Sequence, residues 1–187
     1  MGVSRNHTGR TVLFVTVTFC FFLFIFFVIS SLLPSKIKIE RSISIKADPP
    51  TVRAEILNFR NWQHWHPYMQ RGEKVKIFLD EQEGKLALTN NEEETLEFQL
   101  KSNLGDTISF AASTAKQLST FYNFIIKEDK KVGTFVVLLV ERDFGKRRLK
   151  RLEGILADKV AGPHTELMLR HLKDYLERDT SSINKSL

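Results

Sequence analysis

The sequence predicts an α+β fold, a curved antiparallel sheet wrapped around a long C-terminal helix and preceded by one transmembrane helix. Three observations carry this. Residues 11–33 form a run of 23 without a single charge. From residue 36 to about residue 140, short segments alternate apolar and polar residues, the period of strands with one buried face. Beyond Phe144-Gly145 the period returns to 3.6, that of an amphipathic helix.

The run Thr11 to Leu33 holds seven of the fifteen phenylalanines. At about 1.5 Å per residue, a helix of this length crosses a hydrocarbon core of roughly 30 Å. A cleaved signal peptide would have a shorter apolar stretch, of roughly 7 to 15 residues, followed by a small-residue cleavage site. Ile29-Ser-Ser-Leu-Leu-Pro34 offers no such site, and Thr18-Phe19 before Cys20 are not the small residues that lipidation prefers. The reading is an uncleaved anchor behind an N-terminal tail, residues 1–10. Arg5 and Arg10 precede the span, and Lys36, Lys38, Arg41 and Lys46 follow it. Counted this way, the positive-inside rule favours the cytoplasmic side for the soluble domain, although short arginine-bearing tails retained inside would reverse it.

After Pro34, Ile37, Ile39, Ile43 and Ile45 alternate with polar residues and predict a strand, with Arg41 at a rim or edge position. Asp48-Pro49-Pro50 is a helix-start signal, because proline in the first turn has no amide hydrogen to leave unsatisfied. The helix is expected from Pro50 to Phe59, with Val52, Ile56 and Phe59 as its apolar stripe. Asn61 is placed to cap a second short helix, Trp62 to His66, which Pro67 ends. Strands follow around Val75–Leu79, Leu86–Leu88, Leu96–Leu100, Ile108–Ala112, Leu118–Ile126 and Thr134–Val140, separated by turn residues, including Asn90-Asn91 with Glu92-Glu93-Glu94 as a solvated hairpin. This spacing predicts an antiparallel meander. Leu149, Leu152, Ile155, Leu156 and Val160 then form a helical stripe that Gly162-Pro163 interrupts. A last helix carries Met168, Leu169, Leu172, Tyr175 and Leu176, and residues 179–187 form a flexible tail.

Of 187 residues, 28 are basic and 22 acidic, for a net charge of +6. Residues 142–173 contribute +5 of this, with nine basic and four acidic side chains, whereas residues 34–141 balance at fifteen of each. With the anchor set aside, the remainder has room for one domain, residues 36–178. Its regularly spaced apolar residues argue against disorder, and the lone Cys20 excludes a disulfide scaffold.

The order of strand, two short helices, antiparallel strands and long closing helix is the helix-grip arrangement. Here the sequence resembles the SRPBCC superfamily, the polyketide cyclase/dehydrase and lipid-transport group that includes START-like domains. The likeness is carried by Ile39-Glu-Arg-Ser-Ile-Ser-Ile-Lys-Ala-Asp-Pro-Pro-Thr-Val52, by Phe59-Arg-Asn-Trp-Gln-His-Trp-His-Pro67, and by Glu166-Leu-Met-Leu-Arg-His-Leu-Lys-Asp-Tyr-Leu-Glu177. The resemblance implies a hydrophobic cavity between sheet and long helix that holds a lipid, isoprenoid or polyketide-like ligand, and rarely a fixed catalytic constellation.

The cavity candidates are Trp65, Pro67 and Tyr68 at the aromatic turn, Phe98, Phe110, Tyr122, Phe124 and Leu138 on inward strand registers, and Met168 and Leu172 on the last helix. Core packing is the plain alternative for each of them. The inward registers are almost wholly apolar, with Arg41, Thr120 and Tyr122 as exceptions, so no catalytic residue is assigned, and a cyclase- or dehydratase-like enzyme on the same scaffold is the alternative reading. His64, His66, His164 and His171 lack metal-ligand spacing, and no metal or cofactor is implied. Lys146, Arg147, Arg148, Lys150 and Arg151 are membrane-surface candidates, or the solvated back of a packed helix; a third reading makes this segment a membrane or protein docking module. The expected partners are a hydrophobic small molecule or lipid and the membrane, with no nucleic acid. No particular protein partner is indicated.

Overall fold

The computed structural model describes residues 5–70, 76–80, 82–89, 95–114, 117–145 and 148–183. An N-terminal helix α1 (Arg5–Leu32) leads into β1 (Lys36–Ile45), α2 (Pro49–Leu57) and α3 (Trp62–Trp65). Six strands follow: β2 (Lys76–Asp80), β3 (Lys85–Thr89), β4 (Thr95–Leu104), β5 (Thr107–Thr114), β6 (Gln117–Asp129) and β7 (Gly133–Asp143). The chain closes with α4 (Arg148–Ile183). All seven strands form one antiparallel sheet in the order β1-β7-β6-β5-β4-β3-β2. Five hairpins thus build a meander, and the first strand pairs with the last. The ladders slip between Leu100 and Ser102 and between Ala112 and Thr114, irregularities that increase local twist.

Local chemistry accounts for the helix starts and turns. Asp48 caps α2, its carboxylate accepting from the Thr51 amide at 3.2 Å and the Thr51 hydroxyl at 2.7 Å. The Thr51 hydroxyl is the main reason that this carboxyl is held below its ordinary pKa. Asn61 makes no side-chain cap, because it already lies in helical conformation. The turn before β7 requires glycine: Gly133 has φ +129°, and a Cβ there would lie 2.8 Å from the Ala47 carbonyl oxygen.

Helix α2 ends at Leu57, earlier than the stripe implied, and Phe59 is buried from the loop beyond it. The largest departure is at Gly162-Pro163, where α4 runs without interruption for 36 residues with Pro163 inside it. The helix is described through Ile183. Proline costs a helix one backbone hydrogen bond, and packing along β1 outweighs that loss. Arg41 lies at the edge of the sheet, as expected. It stands on the inward register of the edge strand β1, and its Nη2 ion-pairs with Asp158 of α4 at 2.8 Å. At the opposite edge, β2 buries little of the face expected for it, with Ile77 53% exposed. Val75, Asn90, Asn91 and Glu92 to Glu94 lie outside the described residues, as do the side chains of Leu118, Leu149, Leu152 and Ile155.

The core lies between one sheet face and the helices. Trp62 is at its centre, donating from Nε1 to the Ile56 carbonyl at 2.9 Å and meeting Phe59, Phe98 and Phe110 edge-on at 4.8, 5.2 and 5.2 Å. Helix α4 runs alongside β1 in the same direction. Arg151 donates to the Leu33 and Gly145 carbonyls near its start. Toward its end Lys173 donates to the Ser44 carbonyl at 2.9 Å, and Glu177 accepts from the Lys46 amide at 3.0 Å.

Candidate functional site

Helix α4 does two different jobs along its length. Its second half is core: Met168, Leu169, Leu172 and Leu176 are buried against the sheet and the short helices. Its first half meets the sheet at the edge strand β1 and roofs a cleft of about 550 Å³. The floor is Ile37 and Ile39 of β1, Thr120 and Tyr122 of β6, and Val140 and Arg142 of β7, with Phe144 at one end. The roof is Leu156, Ala157, Val160, Ala161, His164 and Thr165, and Tyr68 closes the side. The volume falls in the usual range of small-molecule pockets, about 300–1,000 Å³. Leu156 and Val160, one turn apart on the roof, are 56% and 74% exposed.

The floor is apolar except at one end. There Arg142 donates from Nε to the Thr120 hydroxyl at 2.8 Å, and Tyr122 sits directly opposite Val140 in the ladder. Burial, and after it Tyr68, raise the Tyr122 phenol above its ordinary pKa against an opposing pull from Arg142. The phenol is therefore protonated at neutral pH. Behind Tyr68 an aromatic stack leads back into the core: Tyr68 packs on His164 at 4.6 Å and on His66 at 5.5 Å, and His66 lies flat on Trp62 at 4.7 Å. Burial, with His164 adding to it, lowers the His66 pKa to about 3. His66 is a neutral ring that packs like an aromatic residue, and its buried Nδ1 has no hydrogen-bond partner. Among the described residues, no group of three His, Cys, Asp or Glu side chains converges in a way that would hold a metal.

Of the ten cavity candidates, Tyr68 and Tyr122 line this cleft. Trp65, Phe98, Phe110, Phe124, Leu138, Met168 and Leu172 are close-packed in the core, and Pro67 is buried beside them. Arg142 and His164, both on the cleft wall, were missed by sequence reasoning. A signal for Arg142 existed, since the alternation Thr134, Val136, Leu138, Val140 extends by one step to residue 142. His164 and Thr165 were hidden by the assumed break at Gly162-Pro163.

The cleft adjoins the end of the domain where α1 leaves. Arg151 Nη1 donates to the Leu33 carbonyl at 3.3 Å, and the Phe144 amide donates to the Ser35 carbonyl at 2.7 Å. Of the five basic surface candidates, Lys146 and Arg147 lie outside the described residues, as do the side chains of Arg148 and Lys150. Arg151 is committed to the two carbonyls. A second depression, between α2 and the β6–β7 turn, is lined by Lys46, Asp48, Glu55, Glu128, Asp129, Lys130 and Lys131 among others. It mixes both signs of charge with the apolar side chains of Ala47, Pro49, Val132 and Leu176.

No family model matches the sequence, and no curated protein does. Solved structures match over most of it. A Staphylococcus aureus protein of unknown function aligns with a TM-score of 0.60 at 15% identity, covering 78% of this chain and 96% of that one. A START superfamily protein from Mycobacterium smegmatis aligns at 0.58 and 14% identity, covering 75% and 97%. The di-domain ARO/CYC protein StfQ of the steffimycin biosynthetic pathway aligns at 0.59 and 12% identity, covering 78% of this chain and 52% of that one. What these proteins share with the chain is its architecture: it has the helix-grip fold of START-like and ARO/CYC proteins.

Proposed function

We propose that this chain is a single-pass membrane-anchored helix-grip domain that holds a hydrophobic ligand in the cleft between its sheet and the first half of α4. The observation that carries the reading is the cleft itself, an apolar floor under a helix whose roof residues Leu156 and Val160 are left uncovered by the protein. Its position next to the exit of α1 supports uptake from a bilayer. In support of the anchor, residues Gly9–Leu32 form a helix of 24 residues whose most apolar stretch of 18 has mean hydropathy 3.0 and is not buried by the rest of the fold, while Ser30 near its end is buried.

The test of the ligand reading is mass spectrometry of apolar molecules that co-purify with the full-length chain in mild detergent. An apolar species is expected at near-stoichiometric amount with the unaltered chain and is lost when Ala157→Phe fills the cleft. Recovery of equal amounts from both would remove its support. The anchor and its orientation are tested with Cys20→Ser combined with Lys131→Cys, a position in the exposed turn after β6. Membrane fractionation should retain the protein, and a membrane-impermeant maleimide should react only after permeabilisation if the domain is cytoplasmic. Recovery in the soluble fraction would overturn the anchor.

A further inference from the structure

Arg142 is a cation on the wall of an apolar cleft with no opposite charge beside it. The carboxylates of the surrounding elements are engaged elsewhere. Side chains alternate across a strand, so Glu141 and Asp143 stand on the other face of β7. There Glu141 accepts from Asn123 Nδ2 at 3.4 Å, and Asp143 pairs with Lys36 at 3.6 Å. Asp158 of α4 is held by Arg41 at 2.8 Å. Among the described residues, no carboxylate lies within ion-pair distance of Arg142.

The groups at this end of the cleft form a set of donors. A guanidinium has five N–H groups and no acceptor, and Arg142 commits Nε to Thr120. The Thr120 hydroxyl accepts that bond and keeps its own O–H to give. The protonated Tyr122 phenol is a third donor on the same wall. A partly buried cation with unfilled donors is costly until an acceptor arrives, and a planar carboxylate matches the guanidinium fork best.

We propose that Arg142, Thr120 and Tyr122 form a carboxylate-binding subsite, and that the cleft takes an amphiphile whose apolar body lies under Leu156 and Val160 and whose carboxylate meets Arg142. This rests on the reading of the cleft as a ligand pocket. Neutral sterols, alcohols and esters fill the apolar part and offer neutral acceptors to the donors, but bring no charge to balance the guanidinium.

The test is native mass spectrometry of the full-length chain in detergent with oleic acid or methyl oleate, which differ only in the charged head. At about pH 9 the acid is ionised and Arg142 remains charged. Oleate should be retained about tenfold or more tightly than its ester, the range for hydrogen bonds to charged groups. Arg142→Gln should bring oleate down to the level of the ester and leave the ester unchanged. Equal retention of acid and ester by the unaltered chain would overturn the subsite and leave the pocket standing. Retention of neither would overturn both. Should the variant fail to fold, the comparison of acid with ester on the unaltered chain decides alone.

Discussion

Gly162 of α4 stands against Arg41 of β1: a Cβ on Gly162 would come to 2.5 Å from Arg41 Nη2, the nitrogen that pairs with Asp158 at 2.8 Å. About two turns earlier, Gly154 meets Ile37 in the same way, its added Cβ lying 2.9 Å from Ile37 Cγ2 and 3.3 Å from Phe144 Cε2. The two glycines let α4 lie close along the edge strand, which sets the height of the cleft roof.

These two positions should respond differently to alanine. Each substitution gains about 1 kcal/mol of helix propensity. At Gly154 the obstacles are a stiff β-branched side chain and a packed ring, and overpacking of about 1–3 kcal/mol outweighs that gain. At Gly162 the obstacle is the end of a flexible side chain, which can swing away at the loss of a partly exposed ion pair worth about 0–1 kcal/mol. Gly154→Ala should therefore lower the denaturation midpoint, and Gly162→Ala should leave it nearly unchanged. Equal losses at both would refute the close-approach account.

Core and cleft should separate under mutation. Phe98 packs on Trp62, His66 and Tyr122 at 5.2, 5.4 and 5.9 Å, so Phe98→Ala should cost about 3–5 kcal/mol. Leu156→Ala, at the exposed roof, should cost less than about 0.5 kcal/mol and should weaken retention of an apolar ligand. Thermal melts paired with ligand retention check both, and a Leu156 variant that binds normally would move the mouth elsewhere.

Acid should destabilise the fold through His66. Its folded pKa is lowered to about 3 by burial and by His164, whereas the unfolded ring titrates near 6.5. The unfolded state binds more protons between these values, so stability is complete above the unfolded pKa and falls as pH drops toward 3. The expected loss from this one group is on the order of 3 kcal/mol between pH 7 and pH 4. Urea midpoints across that range should show the slope, and His66→Phe should flatten it. An unchanged slope in that variant would assign the acid sensitivity to other groups.

The elements were legible because their causes are local. An uncharged run of helical length, Asp48 ahead of two prolines, and the alternation through β6 and β7 each act within a few residues. Where reading failed, a distant partner had decided. Pro163 predicts a break by its own chemistry, and the packing of α4 along β1 keeps the helix whole. Arg41 reads as a misfit in its strand until Asp158, 117 positions away, meets it across the space left by Gly162.

The candidate site divides along the same line. An inward register identifies Phe98, Phe110, Phe124 and Tyr122 alike, because alternation reports only which face a side chain joins. Whether that face is filled or open depends on where α4 touches the sheet. Its second half fills the space over the inward face, whereas its first half meets the edge strand β1 and leaves a cleft over β6 and β7, so three of these residues become core and one a cleft wall. By itself, the sequence determined a helix of membrane-spanning length, the strands and their inward faces, and the closing helix, since hydrophobic periodicity is a property of neighbouring residues. Only the tertiary structure decided where the open space lies and that Arg142 stands in it uncompensated, because cavities and charge partners arise between segments far apart in the chain.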